Sequence, residues 1–383
     1  MNTLNAAAPA RSLSICMTSD DFVPGATGVG THVQIIAKHL VRLGHRITVI
    51  TTRRAGEPEH ETWHGVTVHR VPTVKLFGFY QAIPSRTQLR QIFESARPDV
   101  VHHHYLGLMA VRAMGECNTL GIKQVYTYHM TEDHLTQPLV LRPLRLVAAR
   151  LIVKVCNKAD LVISVSENLS QRLKKANRIT PPIVTISNPV DLPQPAAITP
   201  AARDAAFQLL FAGRLNPEKN IPFLLRAFSR LIKKLPDSSL WIAGRGSDQT
   251  MLERQCRDLG IGSKVRFLGF LNHEDLSRHY AACDVFVLPS RVETQGLVAM
   301  EAMWFRKPIV VASSVVSATE LVDEGINGYL VQPDNDSELA GRLEDLARTP
   351  ALRSQLGDAG HRKATAFSPE IVIPQLVSTY RHL

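Results

Sequence analysis

What the sequence has little of is cysteine. Only Cys16, Cys117, Cys156, Cys256 and Cys283 occur in 383 residues. They are odd in number and scattered, with no C-x-x-C pair. A disulfide framework and a zinc site built on spaced cysteines are therefore excluded, and a reducing cytoplasm is the compartment expected. Long apolar runs are also missing, since no stretch approaches the roughly 20 residues needed to span a bilayer. The opening MNTLNAAAPARSLSICM has neither a basic start nor a sustained apolar segment, so no secretory signal is expected. No zinc finger, RNA-binding signature or tail of like charge is found, and nucleic acid is not an expected partner. No internal repeat at a short period is present either.

What is there reads as an ordinary globular chain: 45% hydrophobic and 20% charged residues. Its length suits about two domains. The formal net charge of +10 favours anionic partners, nucleotide phosphates and acidic lipid headgroups among them.

One stretch organises the rest, CDVFVLPSRVETQGLVAMEAMWFRKPIVVAS from Cys283 to Ser313. Asp284 to Pro289 is a short apolar run stopped by proline, the pattern of a buried parallel strand that ends at a ligand-facing edge. Gly296 to Phe305 has helical spacing, with Leu297, Met300 and Trp304 for one face, and Lys307-Pro308 ends it. Glu293 lies in the loop and Glu301 about a turn and a half into the helix, so both border one cleft at the strands' C-terminal edge. Between them stand Gln295 and the unpaired N–H groups of Gly296, Leu297 and Val298, a helix start suited to a phosphate. A carboxylate beside such a site would repel the anion unless it bound hydroxyls instead. The constellation points to a ligand with phosphate in the middle and sugar at both ends, a nucleotide-sugar.

Here the chain resembles a known family. Glu293-x7-Glu301 inside ETQGLVAMEAMWFRKPIVVAS is similar to the signature of the retaining glycosyltransferases of family four, which have the GT-B fold of two Rossmann-like parallel-sheet domains facing a cleft. The resemblance implies that Glu293 contacts the donor sugar and Glu301 the ribose.

The first half follows a βα rhythm. Leu13 to Met17 reads as a strand, followed by a loop with Gly25, Gly28 and Gly30 that leaves the backbone free to turn beside a ligand at a helix start. It is not the dinucleotide fingerprint, because Val33 stands where the third glycine belongs and no acidic residue closes the second strand, Ile47 to Thr52. It resembles the family's first loop, which faces the donor phosphates and the acceptor, with His32 at the usual following histidine. Val66–Val71, Val100–His104 and Gln124–Tyr128 continue a parallel sheet. In His102-His103-His104 alternate side chains point to opposite faces, so at most His102 and His104 share one; no carboxylate or cysteine is near in sequence, and no metal is expected. His129 ends a strand at the edge where ligands of such sheets collect. By resemblance it reaches the donor sugar, and Glu132 and Asp133 after it are acceptor contacts.

Leu141 to Lys158 interleaves apolar residues with Arg142, Arg145, Arg150, Lys154 and Lys158. The pattern fits a helix lying on an acidic membrane surface, and it equally fits a helix packed on the sheet. Ser166 caps the next helix. The proline- and alanine-rich Pro189–Pro200 is the linker.

In the second half, Leu209 to Arg214 is a strand leading into LNPEKNIPFLLRAF. Arg214 and Lys219 supply a guanidinium fork and a mobile ammonium, a pair that binds a diphosphate and stabilises it as it leaves. G-R-L-x-P-E-K-N resembles the family's diphosphate loop. By resemblance Gly244 and the Phe270-Leu271 backbone surround the base, and Glu320 supports the loop near the donor. Asp334-Asn335-Asp336 is read as a helix cap and not a metal-holding D-x-D.

By this resemblance residues 1–190 are expected to be an acceptor-side domain, 191–366 a nucleotide-sugar domain, and 367–383 a helix returning to the first. The expected activity is transfer of a hexose from a nucleoside-diphosphate sugar such as UDP- or GDP-sugar to a glycolipid, lipid or surface-polysaccharide hydroxyl. Configuration is retained, no cofactor is used, and peripheral contact with the inner face of the cell membrane accompanies it. With no carboxylate nucleophile apparent on the acceptor side, same-face attack is favoured over a covalent intermediate. Two other readings share the architecture: a GT-B sugar-nucleotide epimerase, and a non-catalytic membrane-surface binding protein, against which the intact Glu293, Glu301, Arg214, Lys219 and His129 argue.

Overall fold

The protein is described here by a computed structural model covering residues 11–24, 28–76, 79–129, 145–176 and 178–383. In chain order the first half contains β1 (Ser14–Thr18), α1 (Gly28–Arg42), β2 (Arg46–Thr52), β3 (His60–Trp63), β4 (Val66–Val71), β5 (Thr73–Leu76), β6 (Phe79–Ala82), α2 (Arg86–Ala96), β7 (Val100–His103), α3 (Leu108–Leu120), β8 (Lys123–Tyr128), α4 (Arg145–Cys156), β9 (Leu161–Ser164), α5 (Glu167–Ala176) and β10 (Ile183–Thr185). Its sheet runs β10-β9-β8-β7-β1-β2-β4-β3. The strands pair in parallel except for β3, which lies antiparallel on β4. The simple βα series expected from the sequence is thus interrupted: β3 caps the sheet edge, and β5 and β6 form a separate antiparallel ribbon.

The second half contains β11 (Phe207–Ala212), α6 (Ile221–Ile232), β12 (Ser238–Ala243), α7 (Gln249–Asp258), β13 (Val265–Gly269), α8 (His273–Ala282), β14 (Val285–Leu288), α9 (Leu297–Trp304), β15 (Ile309–Ala312), α10 (Ala318–Leu321), β16 (Gly328–Val331), α11 (Asp336–Arg348) and α12 (Pro350–Ala364). Its parallel sheet runs β13-β12-β11-β14-β15-β16. Strands such as FQLLFA and VFVL are buried along their whole length, as strands covered by helices on both faces must be. The strand order reverses beside β11 and β14, and loops leaving that point open a ligand crevice. The same reversal occurs in the first sheet between β1 and β7.

The last helix, α13 (Pro369–Arg381), packs Val372, Ile373, Leu376, Val377 and Tyr380 into the first lobe's core against Val33, Ile36 and Leu40. At about 1.5–3 kcal/mol per buried apolar side chain, this helix contributes on the order of 10 kcal/mol to that core before chain entropy is subtracted. The chain therefore crosses between lobes twice, and the crossings touch where Val190 N donates to Phe367 O at 2.8 Å; Trp304 Nε1 at the end of α9 holds the first crossing by donating to Pro193 O at 3.0 Å. Among the described residues no helix is long and apolar enough to cross a membrane, and the five cysteines are buried and free.

Candidate functional site

In the second lobe the site begins where β11 ends. Gly213, at φ +151°, and Gly244, at φ +140°, let two strand ends lie against each other; a Cβ on Gly244 would stand 1.8 Å from Gly213 O. From there Asn216 opens a single turn, Pro217–Lys219, and Asn220 at φ +50° redirects the chain into α6. The carbonyl of Glu218 accepts from Arg291 N at 2.8 Å, which pins the loop after β14 beside this turn. That backbone bond brings Lys219 and Glu293 together: Nζ lies 2.5 Å from Oε2, both side chains mostly buried, at 14% and 17% exposure. Arg214, half exposed, has Nη2 3.2 Å from the buried Glu218 carboxylate.

Helix α9 starts from Gly296 in the left-handed conformation, φ +81°, where a Cβ would stand 2.8 Å from Leu288 Cδ2. Ala299 N is the first to bond back, to Gly296 O at 2.9 Å. The N–H groups of Leu297 and Val298 therefore point out of the helix start, as donors without intrahelical partners. LVAMEAMW is buried on nearly all sides, as a helix apolar all round must be. Glu301 is the exception inside it. Its Oε2 accepts from the Tyr280 hydroxyl at 2.8 Å, and burial pushes its carboxyl up against the lowering pull of His273 and of that hydroxyl.

Across the cleft, α1 begins at Gly28, whose Cβ position is 3.7 Å from Leu297 Cδ1, so the two helix starts face each other. Gly30 packs on Asp21, where a side chain would meet Oδ2 at 2.6 Å. His129 follows β8, and its carbonyl accepts from Thr294 Oγ1 at 2.8 Å, placing it next to Glu293. Burial holds its imidazole neutral, down to about 3. His32, in the first turn of α1, lies against it with ring centroids 4.6 Å apart.

Lys219 with Glu293, Thr294 with His129, His129 with His32, and Gly28 with Leu297 are thus brought together where the lobes meet, while Arg214 is paired with Glu218 beside Lys219 and Glu301 is buried against Tyr280 one helix turn further on. Phe270 and Leu271 follow β13 at its rim, Phe270 largely exposed, and Gly244 N donates to Gly269 O at 2.7 Å. Gly25, Glu132 and Asp133 lie outside the described residues.

Several side chains do something other than expected. Gln295 turns its amide into the crossing, accepting from Asn188 Nδ2 and donating to Ser187 Oγ, each at 2.6 Å, so its side chain is spent on joining the lobes. Glu320 reaches across the cleft and accepts from Glu167 N at 2.8 Å and Asn168 N at 2.7 Å, capping α5 of the other lobe in addition to the cap Ser166 makes with Leu169 N. Asn168 Nδ2 returns to Val316 O at 3.0 Å, and Val316 N to Glu293 O at 2.9 Å, so the clamp ends on the site. Asn335 caps α11 through Glu338 N, and Asp334 and Asp336 pair with Arg226 and Arg291. Sequence reasoning missed the backbone carbonyl of Glu218 as the joint between the two loops and Thr294 as the tie to His129. A backbone carbonyl leaves no signal in the sequence, and the threonine beside Glu293 was the only one available.

Comparison with known proteins agrees with this geometry. The family profile "Glycosyl transferases group 1" matches residues 199–363, and "Glycosyltransferase Family 4" matches 26–194. An uncharacterized glycosyltransferase of Methanocaldococcus jannaschii is 30% identical over 346 residues, covering 86% of this chain and 87% of that one. The D-inositol 3-phosphate glycosyltransferase of a Nocardioides species is 30% identical, covering 93% and 85%. The alpha-monoglucosyldiacylglycerol synthase of Streptococcus pneumoniae is 27% identical, covering 89% and 80%. Among solved structures, a sucrose-phosphate synthase from Thermosynechococcus elongatus superposes with TM-score 0.80 at 20% identity, over 96% of this chain and 98% of that one. Anabaena HepE, solved with UDP-glucose, superposes with TM-score 0.77 at 21% identity, over 97% and 100%.

Proposed function

Because this chain belongs to family four of the glycosyltransferases and has the GT-B fold, we propose that it moves a hexose from a nucleoside-diphosphate sugar to a lipid, glycolipid or surface-polysaccharide hydroxyl, with retention. The observation that carries the reading is the Lys219–Glu293 pair at 2.5 Å, set beside the outward N–H groups of α9 and tied through Thr294 to His129. A cation, two backbone donors and a carboxylate in one partly dry crevice suit a ligand whose charge grows on a diphosphate while its sugar offers hydroxyls.

In this reading Lys219 and Arg214 take the charge on the departing diphosphate, together with the facing helix starts at Gly28 and Leu297. Glu293, freed from Lys219 as the ammonium turns to phosphate, accepts hydrogen bonds from the sugar. Glu301, held by Tyr280, does the same for the ribose. Neutral His129 positions the sugar's reacting face. Neutralisation by these groups does the work a divalent ion does in other sites. Attack on the face the diphosphate leaves, with its oxygen taking the acceptor proton, retains configuration and uses only groups present here. UDP-glucose is the first donor to try, since it is bound by the similar HepE.

A membrane surface as the place of the acceptor is supported by α4, which buries Ile152, Val155 and Cys156 on the sheet yet leaves Leu146 at 70%, Val147 at 48% and Leu151 at 54% exposure, with Arg150 and Lys154 beside them. Apolar residues with a cationic rim suit an acidic bilayer on the cytoplasmic side. The lipid named in the Streptococcus pneumoniae relative agrees with such an acceptor.

The test incubates purified protein with UDP-, GDP- and ADP-sugars, with and without lipid extract, and follows released nucleotide. Release that requires the extract supports the transferase. Isomerisation without acceptor would replace it by the epimerase, and binding without turnover under every condition by the binding protein.

A further inference from the structure

We propose that His32, His104 and His129 form a site for one transition-metal ion of the zinc class, and that its occupancy withdraws His129 from the donor pocket and stops turnover. The inhibitory half rests on the transferase reading above; the binding half stands apart from it.

The three residues come from three elements that meet at the C-terminal edge of the first sheet: the first turn of α1, the residue after β7 and the residue after β8. One ring nitrogen from each lies within 4.8 Å of the others, and all three side chains are buried. His104 Nδ1 and His129 Nε2 are 3.4 Å apart. With metal–nitrogen bonds of about 2.0–2.1 Å, the ligand nitrogens of a tetrahedral site stand about 3.3 Å apart, so this pair already has the spacing and His32 reaches it by a small side-chain adjustment.

Neighbouring histidines show that the fold satisfies imidazoles where it uses them for structure. His102 pairs both nitrogens, with Tyr380 Oη and Thr127 Oγ1, each at 2.6 Å, and His103 meets Thr18 Oγ1 at 2.9 Å and Gln124 Oε1 at 3.3 Å. At the cluster, by contrast, neither nitrogen of His32 nor Nε2 of His104 makes a hydrogen bond of good geometry among the described residues; Asn188, whose Oδ1 is likewise unpaired, is the polar side chain that acts on His32. A buried polar atom left so costs about 1–3 kcal/mol, and a metal ion taken up by His32 would recover that cost there, while the Nδ1 of His104 and Nε2 of His129 would exchange their mutual hydrogen bond for the ion. Burial lowers all three imidazoles, keeping them in the neutral form that ligates metals. Three nitrogens and no carboxylate in the set select copper and zinc over manganese, and discriminate against magnesium and calcium, which seek oxygen.

The experiment takes the full-length protein stripped of metal and titrates zinc sulfate against a chromophoric chelator, with cobalt as a spectroscopic substitute. One ion per chain is expected, with the visible bands of tetrahedral cobalt, and affinity at least about tenfold weaker in both His104→Gln and His32→Gln. Nucleotide release by the wild type should fall as zinc fills the site and return with chelator. His104→Gln should keep its metal-free rate within about threefold and lose zinc sensitivity, since His104 contacts neither donor nor acceptor in the proposed reaction. Thermal melting of both variants confirms that they fold, and two positions on different elements keep the test usable if one does not. Absence of one-to-one binding, or wild-type affinity in both folded variants, overturns the site. Binding that needs both histidines yet leaves turnover untouched overturns the inhibition. If no donor is ever turned over, the cobalt spectrum still decides the site, and it is the transferase reading that has failed.

Discussion

Replacing Lys219 by methionine removes an ammonium while keeping most of the stem, and its two expected consequences differ in size. The first is on stability. Lys219 Nζ is 2.5 Å from Glu293 Oε2, with the side chains at 14% and 17% exposure. An exposed pair is worth about 0–1 kcal/mol and breaking a fully buried one costs about 3–5 kcal/mol, so this intermediate case should cost about 2 kcal/mol, a fall of roughly 4–8 °C in Tm for a lobe of this size. The second is on rate. A positive group aimed at charge that develops on a leaving diphosphate contributes about 3–4 kcal/mol to the transition state, so kcat should drop about 100- to 1,000-fold, with a smaller change in KM. Released nucleotide at saturating donor measures one effect and thermal melting the other. The double variant Lys219→Met/Glu293→Gln separates them, because a neutral amide no longer needs a counter-ion: about half the lost stability should return while turnover stays low. A Lys219→Met protein that melts lower but turns over within about threefold of wild type would show that the lysine only holds Glu293, and the account of leaving-group stabilisation would be wrong.

Gly244→Ala should do more harm than either charge change, since its Cβ would stand 1.8 Å from Gly213 O on a backbone at φ +140°; a loss of at least about 3 kcal/mol is expected, read as a depressed Tm and poor folded yield, and a normal melt would refute the close approach. Glu320→Ala removes the acceptor shared by the Glu167 and Asn168 N–H groups, which should cost about 1–2 kcal/mol and raise the donor KM a few-fold as the lobes lose a tie, with Glu320→Gln in between. An unchanged Tm and KM in the alanine variant would mean the clamp carries no load. Burial lowers His32, His102 and His104, and takes His103 to about 4 and His129 to about 3. An unfolded chain therefore takes up protons below its ordinary histidine value near 6.5 that the folded chain refuses. Stability present above that pH is lost on acidification, at about 1.4 kcal/mol per pH unit for each such histidine until its folded value is reached. Melting between pH 7 and pH 5 should show a steep decline, and a flat profile would mean these imidazoles are not buried neutral.

Much of this architecture is written in local pattern. FQLLFA and VFVL announce strands buried on both faces, Pro222 and the apolar spacing of Phe223, Leu224, Ala227 and Phe228 announce α6, and the glycines at 213, 244 and 296 mark strand ends and a helix start where the backbone needs their freedom. The kinds of side chain on those elements were also legible, because a strand end, a loop and a helix start carry Arg214, Lys219, Glu293 and Glu301 within two short motifs. Where separate segments meet was not. The antiparallel β3 and the β5–β6 ribbon escaped the βα rhythm, since edge pairing depends on what lies beside a strand and not on its own spacing. Gln295 and Glu320 read as donor-side residues and turned out to join the lobes, an outcome set by the second crossing and by the approach of α5. His102-His103-His104 offered one shared face in sequence; folding put His104 against His129 and His32 instead of leaving it with its neighbour alone. The sequence by itself determined the alternation of buried strands and helices in both halves and the kinds of group at the strand ends, because hydrophobic period and turn chemistry act over a few residues. Only the tertiary structure decided which of those groups share a pocket, because loops far apart in the chain converge where parallel strands all end at one edge and two such edges face each other.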